Sequence, residues 1–331
     1  MTGMALERTV ACPPGWLQPP RVPDEALVFS GLPAGRVWLR REDLVHPTVP
    51  GNKYRKLKYN LLEALKCRAG AVVSWGGAHS NHIAALAEAG RAAGLRTVGL
   101  IRGEEWAGRP GHSPTLQGAL QAGMQLVFLS RADYRRRHEP AAIAEVQRRY
   151  PDAYLVPEGG SNAWGVAGCR EILGPGDAGY DVICCAVGTG GTLAGLVESS
   201  APHQRVIGFS ALKGHAKGVA EAVAGWTPKR NWTVLEDDVF GGYARIDARL
   251  VSFLNAFRRE TGIRLDPVYT GKMMFRLCAL LADGTIGADE RVLAIHTGGL
   301  QGIAGMNAAL AARGQGPVSY THLTLPTNRE G

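Results

Sequence analysis

The chain has 331 residues, 45% of them hydrophobic and 20% charged, the balance of a soluble globular protein with one or two α/β domains. Its 37 Lys and Arg against 29 Asp and Glu leave a formal charge of +8. The arginines are scattered and no basic stripe carries interleaved aromatics, so no nucleic-acid partner is expected, and the excess cation fits an anionic substrate or plain solubility.

The N-terminal stretch "MTGMALERTVACPPGW" lacks a long apolar run and carries Glu7, which argues against a signal peptide. No run approaches membrane-spanning length, so no membrane partner is expected. The six cysteines show no CxxC and no Cys/His ligand spacing, which predicts a reduced, cytoplasmic chain and no metal.

From there, short apolar runs alternate with helical patterns. "RVWLRRED" (36–43) reads as a strand and 53–66 as a helix. "GAVVSWGG" (70–77) is a strand, followed by a helix with Ile83, Leu86, Ala87 and Gly90 on one face. "RTVGLIRG" is a strand, 113–122 a helix, "QLVFLS" a strand and 139–149 a helix. "AYLVPEGG" precedes a helix from about 161. "YDVICCAVGTGG" runs as a strand into a loop, with a helix from 191, and Cys184 and Cys185 fall inside its apolar run. "QRVIGFSA" is a strand, 247–260 and 271–282 are helices, and "RVLAIHTGG" is the last strand. The final "SYTHLTLPTNREG" (319–331) continues no pattern and reads as a non-native tail. Apolar strands alternating with helices predict parallel sheets covered on both faces.

Four glycine-bearing loops follow strands: "SWGGAHSN", "VPEGGSN", "AVGTGGT" and "IHTGG". In such folds ligands bind beyond the carboxyl ends of the strands. "VGTGGTLAG" (187–195) places backbone N–H groups and a helix start around one point, which favours a phosphate. It has no GK[ST], and Leu193 occupies the third glycine position of GxGxxG, so a nucleotide is disfavoured. A plain tight turn is the alternative.

Ser80 and Asn81 open a helix after a double glycine, either as an ordinary N-cap or as a carboxylate site. His79 and His82 lack further ligands at metal spacing and read as loop polarity. No GxSxG elbow supports serine hydrolysis. In "GNKYRKLKYN" (51–60), Lys53 follows Gly-Asn and opens a helix. With a phosphate cup and an anion-binding helix start, such a lysine completes what a pyridoxal phosphate enzyme needs.

"REDLVHPTVPGNKYRKLKYNLLEAL", "SWGGAHSNH", "AVGTGGTLAG", "LDPVYTGK" and "LAIHTGG" together resemble the D-cysteine desulfhydrase and 1-aminocyclopropane-1-carboxylate deaminase family, in order from about residue 20 to about 312. The resemblance implies the tryptophan-synthase-β-like fold of the type II pyridoxal phosphate enzymes: two open, mostly parallel twisted sheets flanked by helices, with the cofactor between two domains. Residues 1–56 with 159–318 would form the large cofactor-binding domain and 57–158 the small one, in a homodimer.

By the same resemblance Lys53 is the Schiff-base lysine, and Lys56 and Lys58 fall to a solvated helix face. Asn81 would meet the cofactor's 3-oxygen, Gly188, Thr189, Gly190, Gly191 and Thr192 its phosphate, and Thr297 its pyridine nitrogen. Ser80, Asn81, His82, Tyr243 and Tyr269 would surround the substrate, with Lys53, Ser80, Tyr243 and Tyr269 catalytic.

Thr270 and Thr297 stand where the deaminases carry Glu and Leu, which favours D-cysteine, converted to pyruvate, sulfide and ammonia. Deamination of 1-aminocyclopropane-1-carboxylate to 2-oxobutanoate is the alternative, and a cofactor-binding protein without this turnover a third reading. "GGAHSN" departs from the family's more frequent GGIQSN, which puts substrate size and polarity in question at Ala78 and His79.

Overall fold

The computed structural model describes residue 16 and residues 21–236, 239–242 and 244–318. The N-terminal stretch, Tyr243 and the 319–331 tail therefore lie outside the described residues.

Among the described residues, ten strands form two sheets. They are β1 (Asp24–Ala26), β2 (Val37–Arg40), β3 (Ala71–Gly77), β4 (Thr97–Arg102), β5 (Gln125–Leu129), β6 (Ala153–Val156), β7 (Val182–Val187), β8 (Arg205–Ser210), β9 (Trp232–Leu235) and β10 (Val292–Ile295). One sheet runs β1-β2-β10-β7-β8-β9 and the other β5-β4-β3-β6. Every pairing is parallel except β1 with β2 at one edge. The helices are α1 (Asn52–Lys66), α2 (Asn81–Ala93), α3 (Pro114–Gln121), α4 (Arg131–Arg135), α5 (Pro140–Arg149), α6 (Ala163–Arg170), α7 (Gly191–Ser199), α8 (Ala216–Ala224), α9 (Ala248–Thr261), α10 (Thr270–Ala282) and α11 (Gly302–Ala311).

Strand β7 shows why the sheets are covered on both sides. Its six residues are all buried between β10 and β8. Successive side chains point to opposite faces. Val182, Cys184 and Ala186 enter the core that contains Leu250, Leu254 and Phe257 of α9 and Met273 and Leu277 of α10. Ile183, Cys185 and Val187 enter the one built with Leu193 and Leu196 of α7 and Val223 of α8. In the smaller sheet Val72 packs toward α1, α2 and α3, while Val73 and Trp75 pack toward Tyr134 of α4.

Strand β2 is shorter than the sequence pattern suggests. The chain turns at Glu42, whose backbone oxygen accepts from both Val45 and Gly51. Elements without a strong periodic signal escape sequence reading: β1 and α4 are short, the half-exposed edge strand β9 loses alternation, and in Gly- and Ala-rich α11 only Ile303 and Leu310 are buried.

The solvated-face reading of Lys56 and Lys58 is wrong. They are 2% and 5% exposed, because α1 runs through the interior, packed against α2, α6 and α7. Buried cations need partners, and α1 has them. Arg55 makes a two-pronged bond to fully buried Glu42, 2.9 Å on each arm. Lys58 Nζ donates to both oxygens of Glu171 at 2.8 and 2.7 Å. Lys56 Nζ donates to the Gly159 carbonyl at 3.1 Å and Ser161 Oγ at 2.8 Å.

Glu42→Gln should therefore cost about 3 kcal/mol in urea unfolding, the low end for breaking a buried pair, since Glu171 still faces Arg55 Nη1 at 3.6 Å. A cost below about 1 kcal/mol, the ceiling for most exposed pairs, would show that the pair does not hold α1.

Candidate active site

Lys53 owes its place to a close backbone approach. Gly51 has φ 73°, and a Cβ there would lie 2.0 Å from the Thr297 carbonyl oxygen, so no other residue fits. Asn52 N donates to that same oxygen at 3.3 Å. The loop entering α1 is thus clamped to the loop leaving β10. Lys53, in the first turn of α1, faces a cavity of about 360 Å³ shared with Asn81, Thr297 and Gly299, with Ala84, Ala85 and Glu88 of α2 and Pro114, Thr115 and Gly118 of α3 farther along. That volume suits a small ligand.

Unlike Lys56 and Lys58, Lys53 has no hydrogen bond or ion pair to a described residue. Burial, with Lys56 one turn away, pushes its ammonium down to about 7. Near neutral pH a large fraction is the nucleophilic amine.

The glycine loop lies beside it. Gly190 N-caps α7 with φ 85°, and a Cβ there would meet Val223 Cγ2 at 3.1 Å. The first N–H groups of α7 have no intrahelical acceptor and remain available to an anion. Thr192 Oγ1 accepts from Asn52 Nδ2 at 2.8 Å, tying the loop to the lysine segment. Thr189 pairs with Ser161, and Lys56 Nζ reaches Thr189 Oγ1 at 3.3 Å.

Lys56 therefore lies against the glycine loop. Its signal in the sequence was its spacing, three residues past Lys53 on the same helix face.

Tyr269 edges onto the same loop: a Cβ on Gly188 would lie 3.4 Å from its Cε1 and 3.6 Å from its hydroxyl oxygen. Buried Asp266 fixes its backbone, accepting from the N–H groups of Val268, Tyr269 and Thr270 at 2.9, 2.8 and 2.8 Å. Asp266 also accepts the Thr270 hydroxyl at 2.7 Å. Of the two threonines singled out in the sequence, only Thr297 lines the cavity. Thr270 is fully buried and engaged with Asp266.

Ser80 N-caps α2, its Oγ accepting from Ile83 N at 3.3 Å. Asn81 follows and lines the cavity, its Oδ1 accepting from Gln301 Nε2 at 2.9 Å. His82 is no loop residue: it is 2% exposed in the first turn of α2, within hydrogen-bond distance of Ser74 Oγ at 2.8 Å. Its Nδ1 is buried with no partner among the described residues. Burial, with Lys53 and Lys56 nearby, lowers its pKa well below the usual value. Its ring faces Gly160, as the Lys56 Cβ does, away from the cavity lining.

Ala78 and His79 are also absent from that lining. The Ala78 carbonyl accepts from Ser113 Oγ, and the His79 ring packs edge-to-face on Trp106 at 5.4 Å.

An easily deprotonated lysine with no partner among the described residues, a cavity at its side, and a nearby glycine loop contacted by a second buried lysine fit a phosphate-bearing aldehyde. Fold and site together define a type II pyridoxal-phosphate enzyme. Residues 25–298 match the family described as "Pyridoxal-phosphate dependent enzyme", and the chain belongs to it, with pyridoxal phosphate as its cofactor. It is 33% identical over 291 residues to a "Putative 1-aminocyclopropane-1-carboxylate deaminase" of Thermotoga maritima, covering 81% of this chain and 89% of that one. It is 30% identical over 305 residues to the mitochondrial "Bifunctional D-cysteine desulfhydrase/1-aminocyclopropane-1-carboxylate deaminase" of Arabidopsis thaliana, covering 83% and 75%. A crystal structure described as an "ACC deaminase homologue" superimposes with a TM-score of 0.71 at 27% identity, over 89% of this chain and 97% of that one.

Lys53→Ala should abolish both the visible absorbance of bound cofactor and its trapping by borohydride; trapping that persists would overturn the assignment. Lys56→Ala should weaken cofactor retention by roughly tenfold or more, the worth of one charged hydrogen bond. Unchanged retention would return Lys56 to a purely structural role. Cofactor capture should rise as pH passes through about 7, where Lys53 loses its proton, and level off above it. A rise that continues toward the ordinary lysine range would contradict this depression.

Gly190→Val should force a β-branched residue to positive φ against Val223, costing at least about 1 kcal/mol and lowering cofactor occupancy after dialysis. Full occupancy would separate this loop from the phosphate.

Proposed function

We propose that the protein eliminates and deaminates a small amino acid, with D-cysteine as the preferred substrate. One D-cysteine and one water give pyruvate, hydrogen sulfide and ammonia. The observation that carries this choice is the uncharged Thr297 beside Lys53. The one carboxylate in the cavity lining, Glu88, stands about two turns along α2 from Asn81 and pairs with Arg91 at 2.7 Å. The Asp266 carboxylate is taken up by four donors. No free carboxylate among the described residues adjoins Thr297, an arrangement suited to removing an α-proton and a good leaving group.

Pyridoxal phosphate supplies the electron sink for charge that develops at the substrate's α-carbon. The N–H groups of Gly188 to Thr192, with Lys56 behind them, hold its phosphate. Asn81 would hold the 3-oxygen and Thr297 the pyridine nitrogen, both lining the cavity with Lys53. Lys53 would anchor the cofactor, and its neutral amine would be the base for the α-proton. Ser80 and the start of α2 receive the substrate carboxylate. Tyr269, set against Gly188, would stack on the ring or move a proton, and Tyr243 remains the second tyrosine of the proposal. His82, set against Gly160 and Ser74 outside the cavity lining, takes no substrate role in this proposal.

In the same proposal, residues 1–56 with 159–318 form the large domain and 57–158 the small one. The strands of the six-stranded sheet all fall in the first set and those of the four-stranded sheet in the second.

A second reading, opening of 1-aminocyclopropane-1-carboxylate to 2-oxobutanoate and ammonia, draws support from the names of the Thermotoga relative and the crystal structure. Parallel assays decide between them. Cofactor-loaded protein should release sulfide and pyruvate from D-cysteine and little 2-oxobutanoate from the cyclopropane substrate. Comparable turnover of the latter would replace the first reading with the second, and turnover of neither would sink both.

A further inference from the structure

Asn81 has a neighbour that the functional reading does not use. Gln301, just before α11, reaches back 220 residues to donate from Nε2 to Asn81 Oδ1 at 2.9 Å. The contact joins α11, which follows the last strand of the six-stranded sheet, to α2, which follows β3 of the other. Both residues line the cavity with Lys53 and Thr297.

A carboxamide has two unlike ends, an oxygen that only accepts and a nitrogen that only donates, and a half-turn exchanges them. A donor placed on Oδ1 removes that freedom. It leaves Nδ2 turned to Gly299, where a Cβ would lie 2.8 Å from it. Gly298 and Gly299, at φ 81° and 91°, keep side chains out of this corner.

We infer that Gln301 is a positioning residue, locking the Asn81 amide with its N–H end toward the cofactor's 3-oxygen and tying the two sheets together across the cavity. The inference rests on the role proposed for Asn81. It assigns Gln301 a polarity as well as a place: the side chain must donate. Gln301 is exposed, so its replacement leaves the core intact.

Three variants separate polarity from bulk. Gln301→Glu can only accept and would draw Nδ2 toward itself, Gln301→Lys can only donate, and Gln301→Ala does neither. Protein stripped of cofactor is titrated with pyridoxal phosphate, and the ratio of visible to near-ultraviolet bands, which follows the proton shared between the 3-oxygen and the lysine imine, is recorded against pH. Gln301→Glu should weaken binding about tenfold, the worth of one charge-assisted hydrogen bond, and move the midpoint of the band change to higher pH. Gln301→Ala should move both less, in the same direction, and Gln301→Lys should stay close to wild type.

Glu and Lys variants that match each other, whether both altered or both unaltered, would overturn the inference while leaving the cofactor site in place. Wild-type protein that binds no pyridoxal phosphate would overturn the site itself.

Discussion

Three cations of α1, each buried and each held by a fixed acceptor, are the constraint on which the rest of the molecule depends. Arg55 on Glu42 ties the helix to the turn after β2. Lys58 on Glu171 ties it to the end of α6. Lys56 on Gly159 and Ser161 ties it to the loop after β6. Charges taken from water hold position firmly because any movement leaves one unpaired. The helix that carries Lys53 in its first turn is thereby set against parts of both sheets. Lys53 itself has no such partner among the described residues, and this difference makes it chemically available.

The site is assembled from chain turns at the carboxyl ends of parallel strands. The turns after β3, β7 and β10 open α2, α7 and α11, so three helix starts gather around the Lys53 segment. Glycines permit the convergence where backbones nearly touch. Gly51 against Thr297 is one such contact, and Gly168, where a Cβ would lie 1.9 Å from the Arg55 carbonyl oxygen, is another. The second lets α6 press onto α1 and brings Glu171 within reach of Lys58.

Asp266 shows how a residue outside the cavity lining can shape the site. By capping the start of α10 it holds Tyr269 against Gly188, and it also absorbs the hydroxyl of Thr270. A carboxylate at position 270 would have stood beside Tyr269. Here the local acid is spent on the backbone, and Thr297 is left as the neutral group beside Lys53.

The sequence by itself determined the parallel α/β architecture, because fully apolar strands such as β7 can be buried only between two layers of helices. It also singled out the 187–195 glycine loop and Lys53 as candidates, because glycine loops after strands and a lysine opening a helix are local patterns. Only the tertiary structure decided the fates of Lys56, Lys58, His82 and Thr270. Charge and polarity in a sequence suggest solvent, and burial depends on what packs over a helix from segments a hundred residues away. Ser161, Glu171 and Thr189 turn the apparent surface of α1 into an interior, and Gln301 reaches Asn81 only because the two sheets meet at the cavity. Such long-range pairings have no local period to reveal them, and they separate one lysine of "GNKYRKLKYN" from its neighbours.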